Sequence, residues 1–280
     1  MNEKRKQQVL RHKIVLATLG IVVIILGSVL WAKKSQKNEK PSESSNVTAA
    51  KTIQQKTQEK TTEERIEEAR QLGIEKGYPE SLMEAFEMNP QEVLPLVEQY
   101  EKLKDQEPVS DIGSDYIEGS IPTLYQWDER WGLASYGSSL LVRAGCGPTA
   151  LSMVMIYVTG DPSFVPSWVA GYSMQRGLVD EDNLTLWQLM RVLPEDYGIT
   201  VTEGHPSDEE WVKNTLNEGH PIICSMGPGD FTGEGHFIVV TEYKEDGTVV
   251  VHDPFRKVNT IKEWKYADII PQINAIWAYN

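Results

Sequence analysis

Three side chains that together can activate a sulfur nucleophile occur in order along this chain. They are Cys146 in Gly145-Cys146-Gly147-Pro148-Thr149-Ala150, His236 after Gly235, and Asp253 before Pro254. A free thiol is mostly protonated at neutral pH. The apolar run that follows Cys146, as far as Val158, reads as a helix opening on the cysteine. A helix start carries unpaired N–H groups and about half a positive charge, and both favour a thiolate. Pro148 needs no hydrogen bond in that first turn. Gly145 and Gly147 are expected to leave room for a substrate carbonyl, and the Cys146 N–H to point at a developing oxyanion. The second cysteine, Cys224, lies in the apolar run Pro221 to Met226 and reads as a small buried hydrophobe rather than a disulfide partner.

His236 is the candidate base. It follows the glycine-rich loop Gly227–Gly235 and precedes Phe237-Ile238-Val239-Val240, a strand that is apolar on both faces and hence central. Lys244 to Gly247 reads as a turn into a second strand, Thr248 to His252, so the two form a hairpin. With Tyr243 paired to Thr248, His236 lies opposite Phe255. Asp253, two residues back, then shares the histidine's face as its orienting carboxylate. A one-residue slip would separate them. The same parity sends His252 to the other face. His205 and His220 read as loop residues beside prolines, and five histidines so dispersed give no metal spacing. No cofactor is expected. Gln126, on a loop ahead of the cysteine helix, carries an amide that could complete an oxyanion hole with the Cys146 N–H.

The elements that must hold these residues follow an α+β layout, helices first and an antiparallel sheet after. Thr185 to Gln188 and Ser207 to Glu210 read as capping boxes ahead of helices over Leu189–Leu193 and Trp211–Leu216, and Gly219 closes the latter. Strand-like runs cover Pro221–Met226, Phe237–Tyr243 and Thr248–His252, with a final strand over Ile269–Ala278. Trp168, Trp187, Trp211 and Trp264 are expected in the core, although Trp187 follows an acidic loop and could line a cleft.

The first third differs in kind. Residues 1–13 form a basic segment with Lys4, Arg5, Lys6, Arg11 and Lys13, and Ile14 to Ala32 contains no charge. A helix over 14–32 would be about 28 Å long, close to the ~30 Å hydrocarbon core of a bilayer. The basic flank places its N-terminal side in the cytoplasm and the remainder outside. The stretch is longer than a signal-peptide core, and Leu30-Trp31-Ala32 is a poor cleavage site, so an uncleaved anchor is expected. Residues 33–62 read as a disordered linker and 63–106 as a helical spacer with no site of its own. Residues 113–280 read as the catalytic domain. The net charge of −14 argues against nucleic acid as a partner, since phosphate binding needs clustered Lys and Arg. The membrane and a peptide or protein substrate are the expected partners.

The strings Gln126-Trp127-Asp128-Glu129-Arg130-Trp131-Gly132, Tyr136-Gly137, GCGPTALSMV at Gly145 to Val154, Gly235-His236-Phe237-Ile238-Val239-Val240 and Val251-His252-Asp253-Pro254 form one pattern. It resembles the papain-like cysteine peptidases related to the double-glycine leader peptidases of bacteriocin exporters. The resemblance covers about Ile121 to Tyr279. It implies a papain-like fold with the nucleophile on a central helix packed against an antiparallel sheet. It further implies Cys146 as nucleophile, His236 as base and acid, Asp253 as its orienter and Gln126 as oxyanion donor. The exporter members carry several membrane spans and an ATPase, whereas this chain has one expected span and no phosphate-binding loop. Two alternatives use the same domain otherwise: a cell-wall peptide hydrolase or transferase, and a non-catalytic membrane-tethered binding module.

Overall fold

The computed structural model describes residues 60–280. The expected basic segment 1–13, the expected membrane span 14–32 and almost all of the 33–62 linker lie outside that range. Among the described residues no helix is long and apolar enough to cross a membrane.

The described chain opens with helices α1 (Thr62–Lys76), α2 (Glu80–Met88) and α3 (Pro90–Glu98) and a short turn α4 (Tyr100–Leu103). A capping box starts α1: the Thr61 hydroxyl accepts from the Glu64 N–H, and the Glu64 carboxylate accepts from the Thr61 N–H. Gly77, at φ 64°, ends it. Gly73 lies inside the helix, and the Met83 thioether packs into the space that a side chain there would take. Leu82, Phe86, Val93, Leu96 and Val97 share one core with Val142 and Phe255. Helices α1 to α3 are thus docked on the rest of the molecule by apolar burial and do not stand off as a spacer.

After a loop come the two-residue strands β1 (Ser135–Tyr136) and β2 (Ser139–Leu140), the turn α5 (Leu141–Ala144), and the long helix α6 (Cys146–Thr159). The elements α7 (Pro166–Gln175), α8 (Leu189–Asp196), β3 (Val201–Gly204), α9 (Glu209–Asn217), β4 (Ile222–Met226), β5 (His236–Tyr243), β6 (Thr248–His252), α10 (Lys257–Ile261), β7 (Trp264–Lys265), α11 (Tyr266–Ile269) and β8 (Ile273–Tyr279) follow. Two expected caps differ. Thr185 bonds the Tyr136 hydroxyl instead of capping α8, and Asp208, not Ser207, caps α9 through the Trp211 N–H. Residues 269–272, expected as strand, turn helically before β8 begins.

Six strands form one antiparallel sheet in the order β3-β8-β4-β5-β6-β7. Both faces are covered. Ile223, Phe237, Val239 and Trp277 join the core around α6, while Ile222, Cys224, Ile238 and Val240 join a second core on the opposite face. That explains why β4 and β5 read as continuous apolar runs. Helix α6 is apolar all round because it is enclosed: every residue from Gly147 to Ile156 is buried.

The register of β5 against β6 decides which side chain meets His236. The turn holds Lys244 against Thr248 through a 2.7 Å bond, leaving three residues at the tip with Gly247 at φ 82°. Tyr243 therefore pairs with Val249, one residue away from the expected partner. Continued unchanged, that register would turn His252 rather than Asp253 toward His236's face. A one-residue bulge between Val240 and Glu242 shifts the ladder, so that Val239 pairs with His252. That shift restores the parity that puts Asp253 on His236's face, and the two side chains meet at 2.8 Å.

Close packing, not substrate access, requires the glycines that flank the cysteine. A Cβ at Gly145 would lie 2.4 Å from the Leu141 carbonyl oxygen, and one at Gly147 would lie 2.5 Å from Thr185 Oγ1. The expectation that they leave room for substrate is corrected accordingly. Gly147→Ala is expected to destabilise the fold by about 1–3 kcal/mol despite alanine's better helix propensity, because the helix start cannot shift without disturbing α5 and Thr185. Thermal melting checks this, and a melting temperature at or above wild type would contradict it.

Candidate active site

Cys146 begins α6, so its N–H belongs to the orphan donors of the helix start. His236 begins β5, at the sheet rim beside the glycine loop. Asp253 is the first residue past β6. Helix and sheet bring Cys146, His236 and Gln126 to the wall of one cleft of about 470 Å³, and Asp253 lies behind His236, bonded to its ring. Its other walls include Glu84 and Met88 of α2, Arg143, Leu184, Trp187, Phe231, Glu234 and Arg256.

His236 is 7% exposed and Asp253 1%. The imidazole Nε2 lies 2.8 Å from Asp253 Oδ1. A carboxylate only accepts, so Nε2 carries the proton and Nδ1 is left for another partner, in the cleft that Cys146 also lines. Asp253 Oδ1 also accepts from the backbone N–H groups of Phe255 and Arg256, at 2.8 and 3.0 Å. Oδ2 accepts from Asn259 Nδ2 at 2.7 Å. Gln126 is buried, its backbone N–H donating to the Pro254 carbonyl at 2.9 Å. Its side-chain Nε2 donates to the Val142 carbonyl at 2.9 Å, in the turn that leads into Cys146. A primary amide has two N–H groups, so one remains for another acceptor.

Residues 119–280 match the profile of the Peptidase_C39 like family. The chain belongs to this family, and it is a cysteine peptidase. Two solved structures of such domains are similar to it. The peptidase domain of Streptococcus ComA, a bi-functional ABC transporter involved in a quorum sensing pathway, aligns over 48% of this chain and 91% of its own at 14% identity, with a TM-score of 0.38. A C39-like peptidase from Bacillus anthracis aligns over 62% of this chain and 98% of its own, also at 14% identity and TM-score 0.38. A search of curated proteins finds no match.

Within the C39-like peptidase domain the other candidates separate clearly. Cys224 is free and enclosed, and burial pushes its thiol far up, so it is chemically silent. His252 turns away to the Pro122 carbonyl and the Thr123 hydroxyl, each 3.2 Å from its Nδ1, and burial lowers its pKa. Trp264 is core, as expected. Trp187 is half exposed and lines the cleft, and Trp168 is 39% exposed within an aromatic group on α7. Three contributions were missed in the sequence. Asn259 carries no motif, and its role exists only because α10 folds back on Asp253. Glu84 and Met88 lie outside the matched region, on helices with no chemical signature.

Burial opposes the charged form of His236, but the Asp253 charge and hydrogen bond, together with Cys146, outweigh it and push the imidazole up to about 10. Burial likewise opposes the Asp253 charge. The imidazolium and the converging N–H donors hold its pKa below the ordinary value. A depressed carboxylate adds stability above its unfolded value of ~4 and loses it as the pH falls further. A raised imidazole adds stability in full below its unfolded value of ~6.5 and loses it as the pH rises toward its folded value. The pair therefore contributes most between those two unfolded values. The melting-temperature deficit of Asp253→Asn should peak between roughly pH 4.5 and 6.5 and shrink on either side. A deficit that does not vary with pH would show that the charges are not linked to folding.

Proposed function

We propose that this cysteine peptidase works through Cys146, His236, Asp253 and Gln126, on peptides outside the membrane that its N-terminal segment spans. The buried His236–Asp253 pair at 2.8 Å, its histidine lining the cleft that also holds Cys146 at a helix start, carries the reading. The Cys146 sulfur, as thiolate, attacks the scissile carbonyl. The oxyanion that forms is held by the Cys146 N–H and by the Gln126 amide N–H not taken by Val142. His236 gives its Nδ1 proton to the leaving amine, which departs as the thioester forms. It then takes a proton from water, whose oxygen attacks the thioester carbon and releases the acid and the thiolate. Asp253 fixes the tautomer and stabilises the imidazolium through both steps.

Sequence supports the tether: an uncharged run at 14–32 behind a basic flank, ahead of a polar linker. Its substrates are then extracytoplasmic peptides or proteins, with cell-wall peptides among them.

Cys146→Ala should abolish cleavage of a proteome-derived peptide library. His236→Ala should reduce it by about 10²–10⁴-fold, the usual worth of general acid–base catalysis. Cys224→Ala should cleave like wild type. Turnover surviving Cys146→Ala would end the proposal. In cells, protease added outside should digest the domain while sparing an N-terminal cytoplasmic tag, and protection of the domain would place it inside.

A further inference from the structure

The helices ahead of the family-matched region hold the loop that holds Asp253. The loop runs Asp253-Pro254-Phe255-Arg256-Lys257, and three contacts reach its last three residues from the junction of α2 and α3. Asn89 Nδ2 donates to the Phe255 carbonyl at 2.7 Å. The Arg256 guanidinium donates to the Met88 carbonyl at 3.1 Å. The Lys257 N–H donates to both oxygens of Glu92 at 3.1 Å. Asn89 Nδ2 also donates to Glu92 Oε2 at 2.9 Å, so the two side chains act as one unit.

The geometry gives this unit a route to the carboxylate. The Phe255 carbonyl and the Arg256 N–H belong to a single planar peptide group. One end of that plane is gripped by Asn89, and by Trp127 Nε1 at 2.9 Å. The other end donates to Asp253 Oδ1 at 3.0 Å. Rotation of the plane would break both sets of bonds together. Asn89 sits at φ −149°, ψ 65°, between two helices, and its side chain caps neither. A buried amide there is costly unless it finds acceptors, and Asn89 finds them in the Phe255 carbonyl of a loop from the other end of the chain and in Glu92.

We propose that Asn89 and Glu92 are positioning residues of the peptidase: they fix the Phe255–Arg256 peptide and, through it, the Asp253 carboxylate against His236. This rests on the reading of Cys146, His236 and Asp253 given above. The segment containing them, outside the matched region, is then a working part of the enzyme. Glu84 and Met88 of the same segment form cleft wall beside the reacting groups.

Alkylation by iodoacetamide reads this without a known substrate, because Cys224 is enclosed and only Cys146 is accessible. Cys146 and Asp253 are the titratable groups that bear on His236, Asp253 in turn bears on Tyr125, and Glu84, Arg143, Asp182, Glu234 and Arg256 line the same cleft. The purified full chain and its Asn89→Ala and Glu92→Gln variants are compared from roughly pH 5 to 9, a range that brackets a free thiol's titration. Wild type should react faster than a free thiol at acidic pH. Asn89→Ala should lower that acidic rate on the order of tenfold, the worth of one buried hydrogen bond, and bring the curve toward a free thiol's. Glu92→Gln, with its size kept and its charge removed, should move the curve the same way by less.

A purely structural role would lower the melting temperature and leave the rate–pH curve superposed on wild type. That superposition overturns the proposal if Asn89→Ala is folded, or in Glu92→Gln if Asn89→Ala does not fold. A wild-type chain alkylated no faster than a free thiol would instead bring down the reading of Cys146 as nucleophile, and the positioning role with it.

Discussion

Everything at this site depends on keeping one carboxylate charged where water cannot reach it. Removing a carboxylate from water costs several kcal/mol unless donors replace the solvent. Asp253 is surrounded by four: the His236 ring, the Phe255 and Arg256 N–H groups, and the Asn259 amide. They come from three constraints. A strand end supplies the ring, a tight turn after Pro254 supplies the backbone pair, and α10 supplies the amide. The histidine's charge follows from the carboxylate's.

The sheet makes this arrangement possible but not automatically. Side chains alternate faces along a strand, so a single residue of register separates a pairing with Asp253 from one with His252. The three-residue turn at the hairpin tip, taken alone, selects the second. The bulge at Thr241 selects the first by adding a residue to one strand only. An irregularity several residues from the cleft thus determines which titratable group faces His236.

Two bodies of the chain meet at the same loop. The sheet reaches Asp253 from inside, and the α2–α3 junction grips Phe255, Arg256 and Lys257 from outside. The apolar core that joins Phe86 and Val97 to Val142 and Phe255 sets the distance at which those grips form. Docking by burial is non-directional; the hydrogen bonds at Asn89 and Glu92 supply the direction.

Local chemistry was open to reading from the sequence alone. The apolar run after Cys146, the uninterrupted apolar β4 and β5, the loop before His236 and the enclosed surroundings of Cys224 each express a rule that acts within a few residues, so helix, strands, nucleophile and base candidates could all be named there. The helix-start glycines were found for the wrong reason, since what they avoid, Leu141 and Thr185, is distant or hidden by the turn. The hairpin parity was stated correctly at His236 but from an incorrect pairing at the tip, because a bulge has no composition of its own. Asn259, Asn89 and Glu92 could not be read at all. An amide on a short helix or at a helix junction has no signal until folding chooses its acceptor, and only the tertiary structure brought residue 89 to residue 255.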